Sequence, residues 1–166
     1  ALINRIGENI SVRRFEKLSS QDGLVYGYLH GQRIGVIVSI VGGNEELGRD
    51  IAMHIAASNP ISIDESGISE KVLEDEKKIY ISQAQDAGKP KAVIEKIVEG
   101  KLKKYLKQST LLGQEFVKDT EVTVEVLLDS SNAKVEKFYR YELGEGLEKR
   151  NDDFVEEVLA QAKGIN

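Results

Sequence analysis

The side chains best suited to chemistry in this sequence are its two histidines, His30 and His54. Histidine titrates near neutral pH, which makes it a common general base and metal ligand. His30 stands between two apolar runs in LVYGYLHGQRIGVIV, residues 24–38. Four roles are open for it from the residues alone: catalytic base, metal ligand, partner contact, or none.

Metal, nucleophile and phosphate chemistry each lack the residues they need. The histidines lie far apart in sequence and there is no cysteine, so a zinc site would need both rings to meet two carboxylates. The sequence has no HExxH pattern, which marks a zinc-binding helix, and no GxSxG pattern, which marks the turn that carries a nucleophilic serine. GGNEELG (residues 42–48) lacks the Lys-Ser/Thr pair of a phosphate loop. We predict no catalytic residue, no metal, no cofactor and no bound nucleotide.

Composition narrows the class of protein further. The net charge of −5 disfavours a general nucleic-acid binder, and no direct nucleic-acid contact is expected. The lysines of residues 101–107 leave RNA binding open as an alternative, although lysines also suit a helix C-terminus. The absence of cysteine suits a reducing cytoplasm, and no apolar run reaches the ~18 residues of a membrane span. No signal peptide is visible, and the start at Ala1 indicates a fragment of a longer protein.

The first half of the chain indicates strands followed by a helix. Residues 10–15 predict a short strand, and residues 24–29 and 33–41 predict a hairpin around the His30 tip. Asn44 is a candidate N-cap for a helix over residues 45–57, whose apolar residues recur at the helical spacing. His54 lies late in this helix, at the edge of the apolar stripe. We interpret it as a helix-end histidine near the negative end of the dipole.

Residues 69–85 and 90–107 predict two charged helices, each with a narrow apolar stripe. The AGKP turn between them, residues 87–90, carries a glycine for a left-handed cap and a proline for a helix start. Two such helices with a tight turn indicate an antiparallel helical hairpin that packs mostly on itself and protrudes as a coiled-coil arm.

In the last third of the chain, some apolar residues have the spacing of a strand and others have the spacing of a helix. VTVEVLL (residues 122–128) suits either a strand or a short helix capped by Thr123. Residues 135–143 predict a half-buried strand with Val135, Tyr139, Tyr141 and Leu143 on its inner face. Asp152 is a candidate cap for a final helix. The predicted fold class is α+β, with an antiparallel three- to four-stranded sheet packed by helices, an inserted helical hairpin and a C-terminal helix.

Apolar residues on loops are the remaining candidates for function. Ile6 precedes the first predicted strand, and Phe116 and Val117 lie in a polar loop, STLLGQEFVKDT. Exposed apolar side chains rimmed by charge more often mark a protein partner than a reaction centre. Local packing beneath the helical hairpin explains the same residues equally well, so both alternatives are open at this point.

Several motifs together resemble elongation factor Ts, the bacterial and organellar guanine-nucleotide exchange factor of elongation factor Tu. They are ALINRIGENISVRR, YLHGQRIGVIV, DIAMHIAASNP, GKPKAVIEKIVEGKLKKYLKQSTLLGQEFVKD and GEGLEK, in this order along the chain. The resemblance covers the family's carboxy-terminal half. The amino-terminal half of that family carries a TDFV motif that disturbs the nucleotide's magnesium site, and no TDFV stands in this sequence.

The resemblance implies roles for particular residues. His30 corresponds to the histidine of the family's HGxRIG motif and Ile6 to the isoleucine of its IGEN motif, both of which contact the partner. Val117 matches the valine of the GQPFV loop, which here reads GQEFV with Glu115 in place of proline. The predicted partner-binding residues are Ile6, His30, Gly31, Arg33, Phe116, Val117 and Lys118. The family also places a short helix after Thr123, which decides between the two alternatives for VTVEVLL.

The predicted organisation and function follow from this resemblance. We expect a core subdomain formed by residues 1–62 and 109–146, a protruding helical hairpin over residues 63–108, and a C-terminal helical module over residues 147–166. The chain is expected to be a non-enzymatic module, bacterial and cytoplasmic or from an organellar matrix, that binds elongation factor Tu with little exchange. The alternative is a small cytosolic enzyme with His30 as general base.

Overall fold

A computed structural model describes Arg5, Gly7 and residues 12–146. The main sheet contains β1 (Leu24–His30), β2 (Ile34–Val41) and β5 (Lys134–Glu142), and a small sheet contains β3 (Glu115–Phe116) and β4 (Asp119–Thr123). The helices are α1 (Glu45–Ser58), α2 (Glu70–Asp86), α3 (Lys91–Ser109) and α4 (Val124–Ser130). In the main sheet β2 pairs antiparallel with β1 on one side and β5 on the other. The predicted α+β class with an antiparallel sheet is therefore confirmed.

The core lies between one face of the main sheet and α1. Val36, Val38 and Ile40 alternate along β2 and are buried, as are Ile51 and Ile55 of α1. All five belong to one apolar cluster. The central strand therefore buries the side chains of one face against a helix, and this packing removes apolar surface from water.

Helix α1 begins and ends through local backbone chemistry. The Asn44 side-chain oxygen accepts a hydrogen bond from the Leu47 amide at 2.8 Å, which satisfies one of the free N–H groups of the first turn. Asn59 ends the helix in the left-handed conformation, with φ 46°. The predicted N-cap is confirmed, and the helix is one residue longer than predicted.

A β-bulge in β5 changes which of its side chains face the core. Ser39 pairs with Lys137 but Ile40 pairs with Val135, so Glu136 is the extra residue. The Glu136 carboxylate accepts hydrogen bonds from the hydroxyls of Ser20 and Ser39, each at 2.6 Å. These hydrogen bonds lower the pKa of Glu136, and the bond from Ser20 has the larger effect.

The bulge makes the predicted inner face of this strand partly wrong. Val135 is buried as expected, but beyond the bulge Phe138 and Arg140 stand opposite the buried Val38 and Val36. Tyr139 therefore falls on the other face of the sheet, as does Tyr141. One additional residue reverses the alternation, which a uniform period of two does not anticipate.

The predicted strand over residues 10–15 is also wrong where the structure describes it. Residues 12–20 have no regular secondary structure, and Val12 and Phe15 are exposed. Arg13 and Arg14 are held by side-chain bonds to Glu145 rather than by a backbone ladder. A strand requires a neighbouring backbone for its hydrogen bonds, and this segment has none among the described residues.

Helices α2 and α3 form an antiparallel pair with its own apolar cluster of Ala84, Ile94 and Val98. Lys101 of α3 bonds Gln83 of α2 at 2.7 Å, and the turn at Gly88 joins the two helices. The predicted pair of helices and the turn between them are confirmed, with bounds that differ by one or two residues. At the base of the pair, the backbones of residues 61–63 and 109–112 are hydrogen-bonded to each other.

Thr123 caps a helix, as the resemblance implied. Its hydroxyl accepts from the Val126 amide at 3.4 Å, and α4 follows directly. Val124 and Leu128 of this helix are buried in the main core. The strand alternative for VTVEVLL holds only as far as Thr123, where β4 ends.

Two expectations fall on residues outside the described part of the chain. They are the final helix capped by Asp152 and the contact role of Ile6. Among the described residues, none of the helices has the length and apolar character needed to cross a membrane.

Candidate partner-binding surface

His30 occupies the exposed end of β1, at the tip of the hairpin. Gly31 adopts φ +57°, a conformation that side chains with a Cβ disfavour, and the Arg33 amide closes the turn on the His30 carbonyl at 3.4 Å. The imidazole lies against Tyr28, whose hydroxyl is 3.3 Å from His30 Nδ1. The hairpin therefore presents the ring on the surface and restrains it from one side.

Arg33 lies on the far side of the same turn. Its carbonyl accepts a hydrogen bond from the Leu143 amide at 2.8 Å, which ties the tip to the end of β5. Gly31, Arg33 and Arg14 line a groove beside the tip, together with Leu29 and Tyr141. The tip thus offers a cation and an aromatic nitrogen beside apolar surface, a combination suited to contact with a protein.

Phe116 is a core residue, so its predicted exposure is wrong. Only 5% of it is accessible, and its ring lies 5.9 Å from that of His54. The strand β3 explains the difference, because neighbouring residues on a strand face opposite sides. With Phe116 inside, Glu115 and Val117 are placed outside.

Val117 and Lys118 are both exposed in this loop. Val117 is 43% accessible, and Lys118 Nζ lies 2.6 Å from Asp50 Oδ1 of α1. An ion pair of this kind, partly open to solvent, contributes little stability but restrains a long side chain. The loop thus carries an apolar side chain and a cation next to each other on α1.

The buried His54 joins α1 to this loop, and its interpretation as a helix-end histidine is wrong. It is fully buried. Its Nε2 lies 3.0 Å from Gln114 Oε1, and the Val117 amide donates to its Nδ1 at 3.2 Å. Burial lowers the pKa of His54, which outweighs the opposing effect of the Gln114 bond.

The loop is connected to the main sheet through α1. Arg140 Nε donates to the Ala56 carbonyl at 3.2 Å, which places the last turn of α1 beside β5. Arg140 lies opposite Val36, which lies opposite Tyr28, so these three residues form one row across the sheet. The adjacent row on that face contains His30. We call His30, Gly31, Arg33, Val117 and Lys118 the candidate contact surface.

Several supporting residues were not predicted as part of a site. His54 is three residues after Ile51 and seven after Leu47, so the helical period already placed it on the buried face of α1. Gln114 and Asp50 gave no comparable signal, because their roles depend on contacts with residues distant in sequence.

The two alternatives, a general base at His30 and RNA binding by the lysines of residues 101–107, gain no support from the described residues. In residues 12–146, the only side chain hydrogen-bonded to His30 is the Tyr28 hydroxyl, and a general base would need a carboxylate or substrate-activating group there. Lys101 bonds Gln83 and lies over the Tyr80 ring, while Lys103 pairs with Glu99. These lysines are therefore engaged within the helical pair.

Comparison with known proteins gives the family. The family model described as Elongation factor TS matches residues 1–145. The chain is 56% identical over 162 residues to elongation factor Ts of Methylococcus capsulatus, covering 98% of the chain and 55% of that protein. It is 53% identical over 165 residues to elongation factor Ts of Thioalkalivibrio sulfidiphilus, covering 99% of the chain and 56% of that protein.

A third relative, elongation factor Ts of Legionella pneumophila, is 46% identical over 162 residues, which are 98% of the chain and 55% of that protein. The chain thus spans about half the length of the curated relatives it matches. A family match over most of the residues and high identity to several relatives agree with each other and with the α+β fold. The chain belongs to the elongation factor Ts family.

Proposed function

We propose that this chain binds elongation factor Tu through the candidate contact surface. The observation that carries the proposal is the exposure of both His30 and Val117 in a member of the elongation factor Ts family. Defined contacts restrain both residues: the His30 ring lies against Tyr28, and the backbone amide of Val117 is bound to His54. Restrained, partly apolar side chains lose little entropy on binding, which favours a contact role.

The mechanism of the whole protein is differential binding. A factor that binds nucleotide-free elongation factor Tu more tightly than the GDP-bound form necessarily weakens GDP binding, because the two affinities are linked. This chain acts as a binding module rather than an enzyme and supplies docking area. The bacterial sources of its relatives support a bacterial, cytoplasmic setting.

The proposal includes a division of the chain into a core of residues 1–62 and 109–146 and an arm of residues 63–108. The backbone bonds between residues 61–63 and 109–112 support these boundaries, because they close the base of the inserted segment. The separate apolar cluster of the helical pair supports them as well. Residues 147–166 would form the C-terminal module.

This chain is expected to bind elongation factor Tu with little acceleration of GDP release. The TDFV motif of the family is absent from its sequence, so it lacks the side chains that displace the nucleotide's magnesium ion. Release of a fluorescent GDP analogue from elongation factor Tu would be followed with and without saturating chain, with a full-length elongation factor Ts as reference. Stimulation equal to the reference would contradict this division of labour.

Replacing His30 with alanine is expected to weaken binding to nucleotide-free elongation factor Tu by about 1–3 kcal/mol. The side chain is exposed, so the free energy of unfolding should change by less than about 0.5 kcal/mol. Calorimetric titration would give the affinity, and urea unfolding of the free chain would give the stability.

Gln85→Ala serves as the matched control, because Gln85 is an exposed residue on α2, away from the proposed surface. It should leave both affinity and stability unchanged. A sharp loss of stability in His30→Ala with unchanged affinity would show that His30 is structural. Absence of binding by the unmodified chain would overturn the proposed function itself.

A further inference from the structure

The buried His54 holds the backbone of the loop that carries Val117. Its Nδ1 accepts from the Val117 amide at 3.2 Å, and its Nε2 lies 3.0 Å from Gln114 Oε1. No other side chain of α1 is hydrogen-bonded to the backbone of this loop within the described residues. The ring therefore connects a rigid helix to an exposed segment 63 residues later in the chain.

The surrounding bonds fix the protonation of this ring. The Gln114 amide nitrogen donates to the carbonyls of Gln108 at 2.8 Å and Ser58 at 3.4 Å, so its oxygen faces His54. His54 Nε2 must then carry the proton that is donated to Gln114, which leaves Nδ1 as an acceptor. A neutral ring in this tautomer is the form that matches the Val117 N–H.

The same contacts determine which side chains the loop exposes. The Phe116 ring packs in the core beside His54, and the amide of the next residue is bound to the same imidazole. Two adjacent residues are thereby fixed by one buried side chain. With Phe116 inside and the Val117 amide bound, the Val117 side chain remains on the surface.

We propose that His54 is a positioning residue that sets the affinity for elongation factor Tu by fixing the backbone at Val117. The inference rests on the proposed function, in which Val117 contacts the partner. His54 itself is fully buried, so its side chain is not part of the exposed surface. Its contribution is to limit the conformations of the loop before binding, so that less conformational freedom is lost in the complex.

Two substitutions of His54 separate positioning from packing. In His54→Asn, the side-chain oxygen occupies roughly the place of Nδ1 and retains an acceptor for the Val117 amide. In His54→Gln, the longer amide reaches the place of Nε2 and retains the bond to Gln114 but not the acceptor. Both variants leave a smaller side chain in the same buried site, so both should lose stability to a similar degree.

The first measurement uses the chain alone and requires no partner. Amide hydrogen exchange at Val117, followed by NMR, should become about tenfold faster in His54→Gln, as expected from loss of one hydrogen bond. In His54→Asn the exchange rate should remain within about twofold of that of the unmodified chain. Equal exchange at Val117 in the two variants would overturn the inference.

The second measurement is the Kd for nucleotide-free elongation factor Tu. We expect an increase of about tenfold for His54→Gln and about threefold or less for His54→Asn. Val117→Ser is the direct test of the contact, and it should weaken binding at least as much as His54→Gln. Unchanged affinity in His54→Gln, despite faster exchange at Val117, would also overturn the inference.

Failure of the proposed function would give a different pattern. The unmodified chain would then not bind, or Val117→Ser would bind as tightly as the unmodified chain. The exchange rates at Val117 would still differ between the two His54 variants in that case. The anchoring of the loop and its use in binding are therefore tested by separate measurements.

Discussion

Replacing Ile51 with alanine is expected to lower the free energy of unfolding by about 2–5 kcal/mol. Ile51 is fully buried in α1 and belongs to the apolar cluster that contains Val38 and Ile55. The substitution removes buried carbon atoms and leaves a cavity that a close-packed interior fills only partly. Urea unfolding, with the slope of the transition compared between variants, measures the loss.

Two further variants make this prediction specific to burial. Ile51→Val should cost only about 0.5–1.5 kcal/mol, because it removes a single carbon. Ile79→Ala, on the half-exposed face of α2, should cost less than about 1 kcal/mol. Equal losses in Ile51→Ala and Ile79→Ala would show that α1 does not pack on the sheet as described.

The second large effect is expected at Gly42, where Gly42→Ala should cost about 2–5 kcal/mol. Gly42 adopts φ +76°, and a Cβ there would overlap the backbone carbonyl of Asn132 in the loop before β5. About 1–2 kcal/mol of the loss comes from the left-handed backbone, and the remainder from forcing two loops apart. The same urea unfolding experiment measures it.

Gly144→Ala is the matched control for Gly42→Ala. Gly144 has a similar φ of +81°, but no atom lies within 4 Å of a Cβ built there. Its substitution should therefore show the conformational cost alone, about 1–2 kcal/mol. A loss in Gly42→Ala no larger than that in Gly144→Ala would contradict the close approach of the two loops.

Part of the candidate contact surface rests on the core, so stability is expected to influence the proposed binding. Ile51 is adjacent to Asp50, which pairs with Lys118, and lies one turn before His54. Loss of packing at Ile51 should therefore disturb the loop as well as the helix. His30 stands apart from this arrangement, because the hairpin restrains it through Tyr28.

Local patterns predicted most of the elements correctly. The hairpin, α1 with its Asn44 cap, and the helical pair with its glycine turn follow from periodicity and capping, which act over a few residues. The strand over residues 10–15 was predicted from the same rules and is wrong over residues 12–15, because a strand also requires a partner that local sequence does not supply.

The faces of β5 show what a local pattern cannot supply. Its alternation predicted both tyrosines on the inner side, and the bulge at Glu136 reverses that assignment. The bulge is stabilised by hydroxyls from Ser20 and Ser39, which are remote from Glu136 in sequence. The register of a strand therefore depends on contacts that form only when distant segments meet.

The sequence by itself determined the α+β class, the order of the elements and, through its motifs, the elongation factor Ts family. Tertiary structure alone decided that Phe116 is buried while Val117 is exposed, and that the His54 ring is hydrogen-bonded to the Val117 amide. The physical reason is the distance along the chain over which each kind of interaction acts. Helical period, caps and turns depend on neighbouring residues, whereas the loop conformation depends on a hydrogen bond between residues 54 and 117 that exists only in the folded chain.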